Sequence, residues 1–342
     1  MYGETNFCGC GKKYPIVPGS NPSLVTWDGQ KFVVADGTKQ LPINLPYIQH
    51  TAKSNAPYIL TANSQGVLKK LLYSTSIPIN YLLVGGGASA GDSYNGTSGG
   101  GGAGGVLSSS LNFKTGTPIN ISVGKGGVVP ISGSGRSGNN GQNSTLTYSN
   151  VTLTAIGGGR GGSNGTALSG GSGGGGNTGQ SGGAGTPGQG YAGLAGGVGT
   201  DGSPYGGGGG GAGGAGTAVQ YNGSGNCLGS AGGAGIISSI TGTSLYYSVG
   251  GSGNASVAIP DEGYTSVAVI QTTGYGGYGS GGQSAAYGLV NFVPYTPYAG
   301  FDGVCILSIP TQYFSGAYTN ATVTTNGSNT ILTFTGNGTY TT

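Results

Sequence analysis

Residues 206–211 are six consecutive glycines, set in the stretch YGGGGGGAGGAG from Tyr205 to Gly216, which offers almost no side chain to any reaction or core. Of the 82 glycines in the 342-residue chain, 71 fall between Gly85 and Gly303, about one residue in three. That proportion matches collagen, but no Gly-X-Y register runs through the region and proline is sparse, so a collagen triple helix is excluded. Glycine loses the most freedom on ordering, about 0.5–1 kcal/mol more than alanine, so loose contacts could not hold such a region in shape.

One ordered state suits it. In the polyproline II conformation the backbone makes three residues per turn with no internal hydrogen bonds, so every N–H and C=O points outward. Glycine alone lets neighbouring helices of this kind approach closely enough to pair those groups. The sequence therefore predicts a cooperative multi-helix array, held by amide hydrogen bonds between helices with Cα–H···O contacts added.

The flanking segments predict the rest of a mostly β fold with few or no α-helices. Strand candidates are Tyr81–Val84, PINISVG from Pro118, the pair STLTYS and VTLTAIG hinged at Asn150, TSVAVIQ from Thr265, GVCILSIP from Gly303, and NTILTFTGNGTYTT at the carboxyl end. Upstream, SLVTWDGQKFVVADGT reads as a hairpin turning at Asp28-Gly29, with Trp27 as a packing anchor. NSQGVLKKLLYST has helical spacing and allows one short helix of about two turns. Three regions follow: an attachment or connector region over 1–79, a glycine-rich β domain over 80–310, and a β tail over 311–342.

Charge and reactive groups narrow the function classes. Only 6% of residues are charged and the net charge is +3, without the basic stripe of a nucleic-acid binder. No run approaches the roughly 20 apolar residues of a membrane span, and MYGETNFCGCGKKYP is not a signal peptide, so neither membrane insertion nor ordinary secretion is expected. Cys8, Cys10, Cys227 and Cys305 read as unpaired thiols, and with His50 as the single histidine no metal site or cofactor is expected. Catalysis has little to work with: a triad would depend on His50, and the adjacent Asp261 and Glu262 fit a solvated turn. VGKGGVVP has the lysine of a phosphate loop but neither its hydroxyl residue nor a following helix.

Taken in order, YLLVGGG at 81, GGGGAGGVL at 99, GTPINISVGKGG at 116, LTAIGGGRGG at 153, GGGGGGAGGAG at 206, YGGYGSGG at 275 and GFDGVCILSIP at 300 resemble the glycine-rich domain of phage tail-fibre and other virion proteins. The resemblance implies packed polyglycine II helices, as in the adhesins of T-even-like phages, whose intervening loops contact the bacterial surface. LVTWDGQKFVV is also similar to a short hairpin of phage fibre connectors. NTILTFTGNGTYTT resembles a strand pair that in this family precedes the opening YLLVGGG, whereas here it ends the chain. The tail is therefore expected to pair against the glycine-rich domain or to contact a neighbouring subunit.

The resulting expectation is a non-enzymatic component of a virion appendage, a tail fibre or spike, that mediates host attachment. It docks on other virion proteins through residues 1–79 and self-associates, with a homotrimer as the expected state. Candidate receptor-binding residues are Tyr287, Phe292, Tyr295 and Tyr298 in SAAYGLVNFVPYTPYAG, and Tyr246 and Tyr247 in TSLYYSVG. Tyrosine offers a stiff surface with a polar tip that suits a host surface glycan or protein, and it suits packing against a sheet edge or a sister subunit equally. The alternatives are a capsid-decorating or head-fibre protein, an ice-binding polyglycine protein, and a glycan depolymerase.

Overall fold

The computed structural model describes residues 5–6, 13–14, 24–27, 32–35, 40–42, 58–62, 68–72, 76–92, 97–129, 136–221, 227–254, 277–284 and 299–342. The chain divides into two compact units, Met1–Thr75 and Ser76–Thr342. In the first, Leu24–Trp27 pairs with Phe32–Ala35 and Gln40–Pro42 adds a third strand, while the expected Asp28-Gly29 turn lies outside the described residues. The helix allowed around VLKKLL is corrected: Leu68–Leu72 is a strand, paired from Tyr58↔Leu72 to Ala62↔Leu68. Two turns of helix are marginal alone. The β-favouring YILTA segment offers these residues a complete antiparallel ladder instead.

The second unit is a β-sandwich continued by a glycine array. Its ten sandwich strands are β1 (Ser76–Val84), β2 (Val106–Lys114), β3 (Pro118–Ser122), β4 (Ser144–Tyr148), β5 (Val151–Ala155), β6 (Val304–Pro310), β7 (Ala317–Thr319), β8 (Thr322–Asn326), β9 (Asn329–Phe334) and β10 (Gly338–Thr341). One sheet has the order β8-β9-β6-β1-β2 and the other β5-β4-β3-β10-β7. The carboxyl tail thus builds both sheets: β9 pairs with β6 from Cys305↔Phe334 to Pro310↔Asn329, and β10 pairs with β3 through Ile119↔Tyr340.

Burial along β1 follows its sequence. Ile77 and Ile79 alternate with exposed Ser76, Pro78 and Asn80, and then Tyr81, Leu82, Leu83 and Val84 are all buried. Alternation marks a sheet covered on one face, and a continuous apolar run marks one covered on both. Between the sheets lie Ile79, Leu83, Phe113, Ile119, Leu146, Leu307, Phe334 and Tyr340. On the other face of the first sheet, Leu82, Val84, Val304 and Ile306 pack against Tyr247, Ile236 and Leu245.

At Gly85, Gly105, Gly124, Asn143, Ile156 and Gly303 the sandwich strands run on into or out of glycine-rich segments. Their contacts repeat every three residues. Gly85, Ala88 and Gly91 donate to the carbonyls of Gly105, Gly102 and Gly99 at 3.0, 2.9 and 3.1 Å, while Gly86, Ser89 and Asp92 donate to Gln142, Asn139 and Arg136 at 2.9, 3.0 and 2.8 Å. Three residues per turn with bonds only between segments is polyproline II geometry.

Segment 98–105 is enclosed by six others. It donates from Gly99, Gly102 and Gly105 to Gly162, Gly159 and Ile156, from Gly100 and Ala103 to Gly207 and Gly210, and from Gly101 and Gly104 to Gly282 and Gly279. It accepts from Gly85, Ala88 and Gly91, from Ser172 and Gly175, and from Gly251. The fold is mostly β with a packed polyglycine array, and among the described residues the one helical element is the 3-10 turn Thr311–Tyr313.

The run 206–211 lies inside this array. Gly207 and Gly210 donate to Gly176 and Gly173, and Gly206 and Gly209 donate to Asn254 and Gly251. Close packing leaves no room for a side chain: a Cβ on Gly208 would stand 2.0 Å from the carbonyl oxygen of Ala231.

Candidate functional site

The register of these bonds gives the array two ends. At the near end, beside the sandwich, sit Gly85, Gly105, Gln142 and Ile156; at the far end sit Asp92, Gly99, Arg136, Gly162 and Gly175. A helix of this type ends with unpaired amide groups, and burying those costs free energy unless side chains satisfy them.

At the far end small neutral polar residues do so. The Ser98 N–H donates to Asn254 Oδ1 at 2.6 Å, and the Gly206 N–H donates to the Asn254 carbonyl at 2.7 Å. Asn177 Nδ2 donates to the Ser163 carbonyl at 2.8 Å, and Ser163 Oγ donates to the Asp92 carbonyl at 2.5 Å. Thr97 Oγ1 donates to Asn177 Oδ1 at 2.5 Å and also meets Thr178 Oγ1, whose hydroxyl reaches the Tyr205 carbonyl at 3.2 Å. Ser98 Oγ meets Ser284 Oγ. Ser98, Thr97, Ser163 and Asn254 are buried, so this network closes off the array as a solid platform.

Three segments begin or end on that platform. Asp92 and Thr97 flank 93–96, Asn254 precedes 255–276, and Ser284 precedes 285–298. The candidates Tyr287, Phe292, Tyr295 and Tyr298, the strand candidate from Thr265, Asp261 and Glu262, and Cys8, Cys10 and His50 lie outside the described residues.

Tyr246 and Tyr247 lie elsewhere, by the near end, in the short strand Leu245–Tyr247 paired with Ile236–Ser238. Neighbours in a strand face opposite ways. Tyr246 is 37% exposed and opposite Ile237, which is 58% exposed, whereas Tyr247 is fully buried against the first sheet. Tyr247 stacks on Tyr278 with ring centroids 6.5 Å apart and has no surface to offer a ligand. Burial pushes its phenol pKa up and the Tyr278 phenol adds to this; the Thr241 hydroxyl offsets a little without reaching hydrogen-bonding geometry. Of this candidate pair, then, Tyr246 alone offers a surface.

Sequence reasoning misses the capping residues Ser98, Asn177 and Asn254. Their signal is position: each is a polar residue at the border of a glycine-rich run, Ser98 before one and Asn177 and Asn254 after one. Among the described residues no group of three or more His, Cys, Asp or Glu could hold a metal ion, and no helix is long and apolar enough to cross a membrane. An ion pair lies towards the near end, where Gly303 donates to the Gly124 carbonyl. Lys125 Nζ pairs with Asp302 Oδ2 at 2.7 Å, and the Gly126 N–H donates to Asp302 Oδ1 at 2.8 Å.

In comparison with known proteins, residues 72–310 match the family described as "Glycine-rich domain". No curated protein and no solved structure matches the chain.

Proposed function

The chain belongs to the glycine-rich domain family, and from that premise we propose that it is a non-catalytic component of a virion appendage, a tail fibre or spike, that attaches to a host surface. The observation that carries this reading is the far-end platform. The array holds Asn254 and Ser284 side by side through Ser98, and the chain leaves those two residues into 255–276 and into 285–298, the segment that carries Tyr287, Phe292, Tyr295 and Tyr298. A scaffold with invariant geometry and side-chain-rich connections is the arrangement in which loops carry recognition. Residues 1–79 would supply docking to other virion proteins, and self-association completes the particle-bound form.

The test is binding of the purified protein to whole cells of candidate hosts, with infection blocked in competition. Replacing 285–298 with a glycine-serine segment of equal length should abolish cell binding while leaving the melting temperature unchanged. Binding that survives this replacement, or a wild-type protein that binds no host and stays on the particle, overturns the attachment reading in favour of a purely structural one.

A further inference from the structure

A polyproline II helix has three rows of amide donors, and in segment 191–196 two are occupied. Tyr191 and Leu194 donate to Gly211 and Gly208 at 3.1 and 2.8 Å, and Gly193 and Gly196 donate to Gly183 and Gln180, each at 3.0 Å. The third row, Ala192 and Ala195, donates to no acceptor among the described residues, and both alanines are exposed. In the adjoining run the carbonyls of Gly182 and Gly185 repeat at the same three-residue spacing and accept from no donor among the described residues. Tyr191 and Val198 flank the open row at 52% and 62% exposure.

This is the polyglycine counterpart of an unpaired sheet edge. Proteins blunt such edges with charge, proline or distortion. Here no Asp, Glu, Lys or Arg occurs anywhere in 161–200, and Pro187 lies in a turn off the row. The edge offers donors, acceptors and small side chains in the pattern that the chain uses for the internal contacts of the array.

We propose that this edge is a self-association surface, on which the 191–196 segment of one copy donates from Ala192 and Ala195 to the 182–185 carbonyls of a second copy. Joining two arrays would extend the same hydrogen-bonding pattern across the subunit boundary and cover Tyr191 and Val198. The occupant is a second copy because its own edge carries the matching acceptor row. The inference deepens the self-association in the reading above and is independent of host attachment.

The test uses the full chain and two readouts. Proline suits polyproline II geometry and removes only the N–H, so Ala192→Pro combined with Ala195→Pro leaves each subunit folded, with an unchanged melting temperature. Self-association measured by sedimentation should weaken about ten-fold or more, the effect of losing two hydrogen bonds or more. Because residues 1–79 could hold copies together on their own, amide hydrogen exchange at Ala192 and Ala195 in the wild type is followed in parallel. Slow exchange that becomes fast on dilution supports the surface; fast exchange at every concentration overturns it. Gly193→Pro, which deletes an internal bond to Gly183 and sets a Cβ 2.2 Å from the Gly174 carbonyl oxygen, should lower the melting temperature, and an equal loss from the Ala192/Ala195 pair would show that row to be internal and refute the proposal. Cell binding by a protein that never associates through this edge would sink the interface and leave attachment standing.

Discussion

A Cβ placed on Gly209 would lie 2.1 Å from the carbonyl oxygen of Gly101, inside the van der Waals envelope of a backbone that cannot swing aside. Gly101 belongs to the enclosed central segment, so the clash falls at the middle of the array. Valine at Gly209, or at Gly208 against Ala231, is expected to cost more than about 4 kcal/mol, at the extreme of single substitutions. Gly214→Ala is the control, since its nearest neighbour is 3.7 Å away and its backbone angle is ordinary. Thermal unfolding should show little change for that variant and no cooperative transition for the valines.

Tyr247 and Tyr246 should respond oppositely to truncation. The Tyr247 hydroxyl is buried without a hydrogen-bond partner. Removing an unsatisfied buried hydroxyl relieves a penalty of about 1–3 kcal/mol, so Tyr247→Phe is expected to raise the melting temperature. Tyr247→Ala empties a site against Leu82 and Ile306 and should cost about 3–5 kcal/mol. Tyr246→Ala, at an exposed ring, should cost clearly less than Tyr247→Ala.

The Asp302 carboxylate sets the acid side. Burial alone would raise its pKa, but the hydrogen bond and charge of Lys125 and the Gly126 N–H outweigh it and lower the pKa below the ordinary 3.8. A carboxyl lowered in the folded state stabilises fully above its unfolded value and loses that contribution as pH falls through the folded value. The difference between wild type and Asp302→Asn in denaturant titrations should therefore be present at neutral pH and be lost progressively as pH falls below the ordinary carboxyl value. Both side chains are substantially exposed, so the difference is expected to be at most about 1 kcal/mol.

The thiols of Cys227 and Cys305 are buried, and burial pushes both pKa values up. The thiolate is the reactive form. Neither residue should be alkylated in the native protein at about pH 8, near the ordinary thiol value, and both should be alkylated on unfolding, as site-resolved mass spectrometry would show. Labelling of Cys305 under native conditions would mean that the space between the sheets opens.

The strands were readable because their alternation and apolar runs encode side-chain placement; β1 carries both signals in nine residues. The existence of a polyglycine array was readable from composition and the need to pair outward amides. Its connectivity was not, because segments such as 98–105 and 206–211 carry almost no side-chain code for their neighbours. The three-residue spacing and the points where strands enter fix it instead. VLKKLL misled because its spacing satisfies a helix as well as the five-residue strand that it forms opposite YILTA. The division of Tyr246 from Tyr247 follows from period two once TSLYYSVG is a strand, but so short a run leaves that period undetermined in sequence.

The uninterrupted passage of β1 and β6 into the array at Val84 and Val304 also sets how the unit bears force. These strands are antiparallel neighbours through the register Val304↔Val84 to Ser308↔Asn80. Tension arriving at the far end travels along continuous backbone and reaches the sheet parallel to its strands. Rungs between strands pulled against such a load must yield together, as in shear, and cannot be unzipped singly, as in peeling. A middle made almost wholly of glycine is thereby joined to the sheets by unbroken backbone at Val84 and Val304, not by side-chain contacts alone.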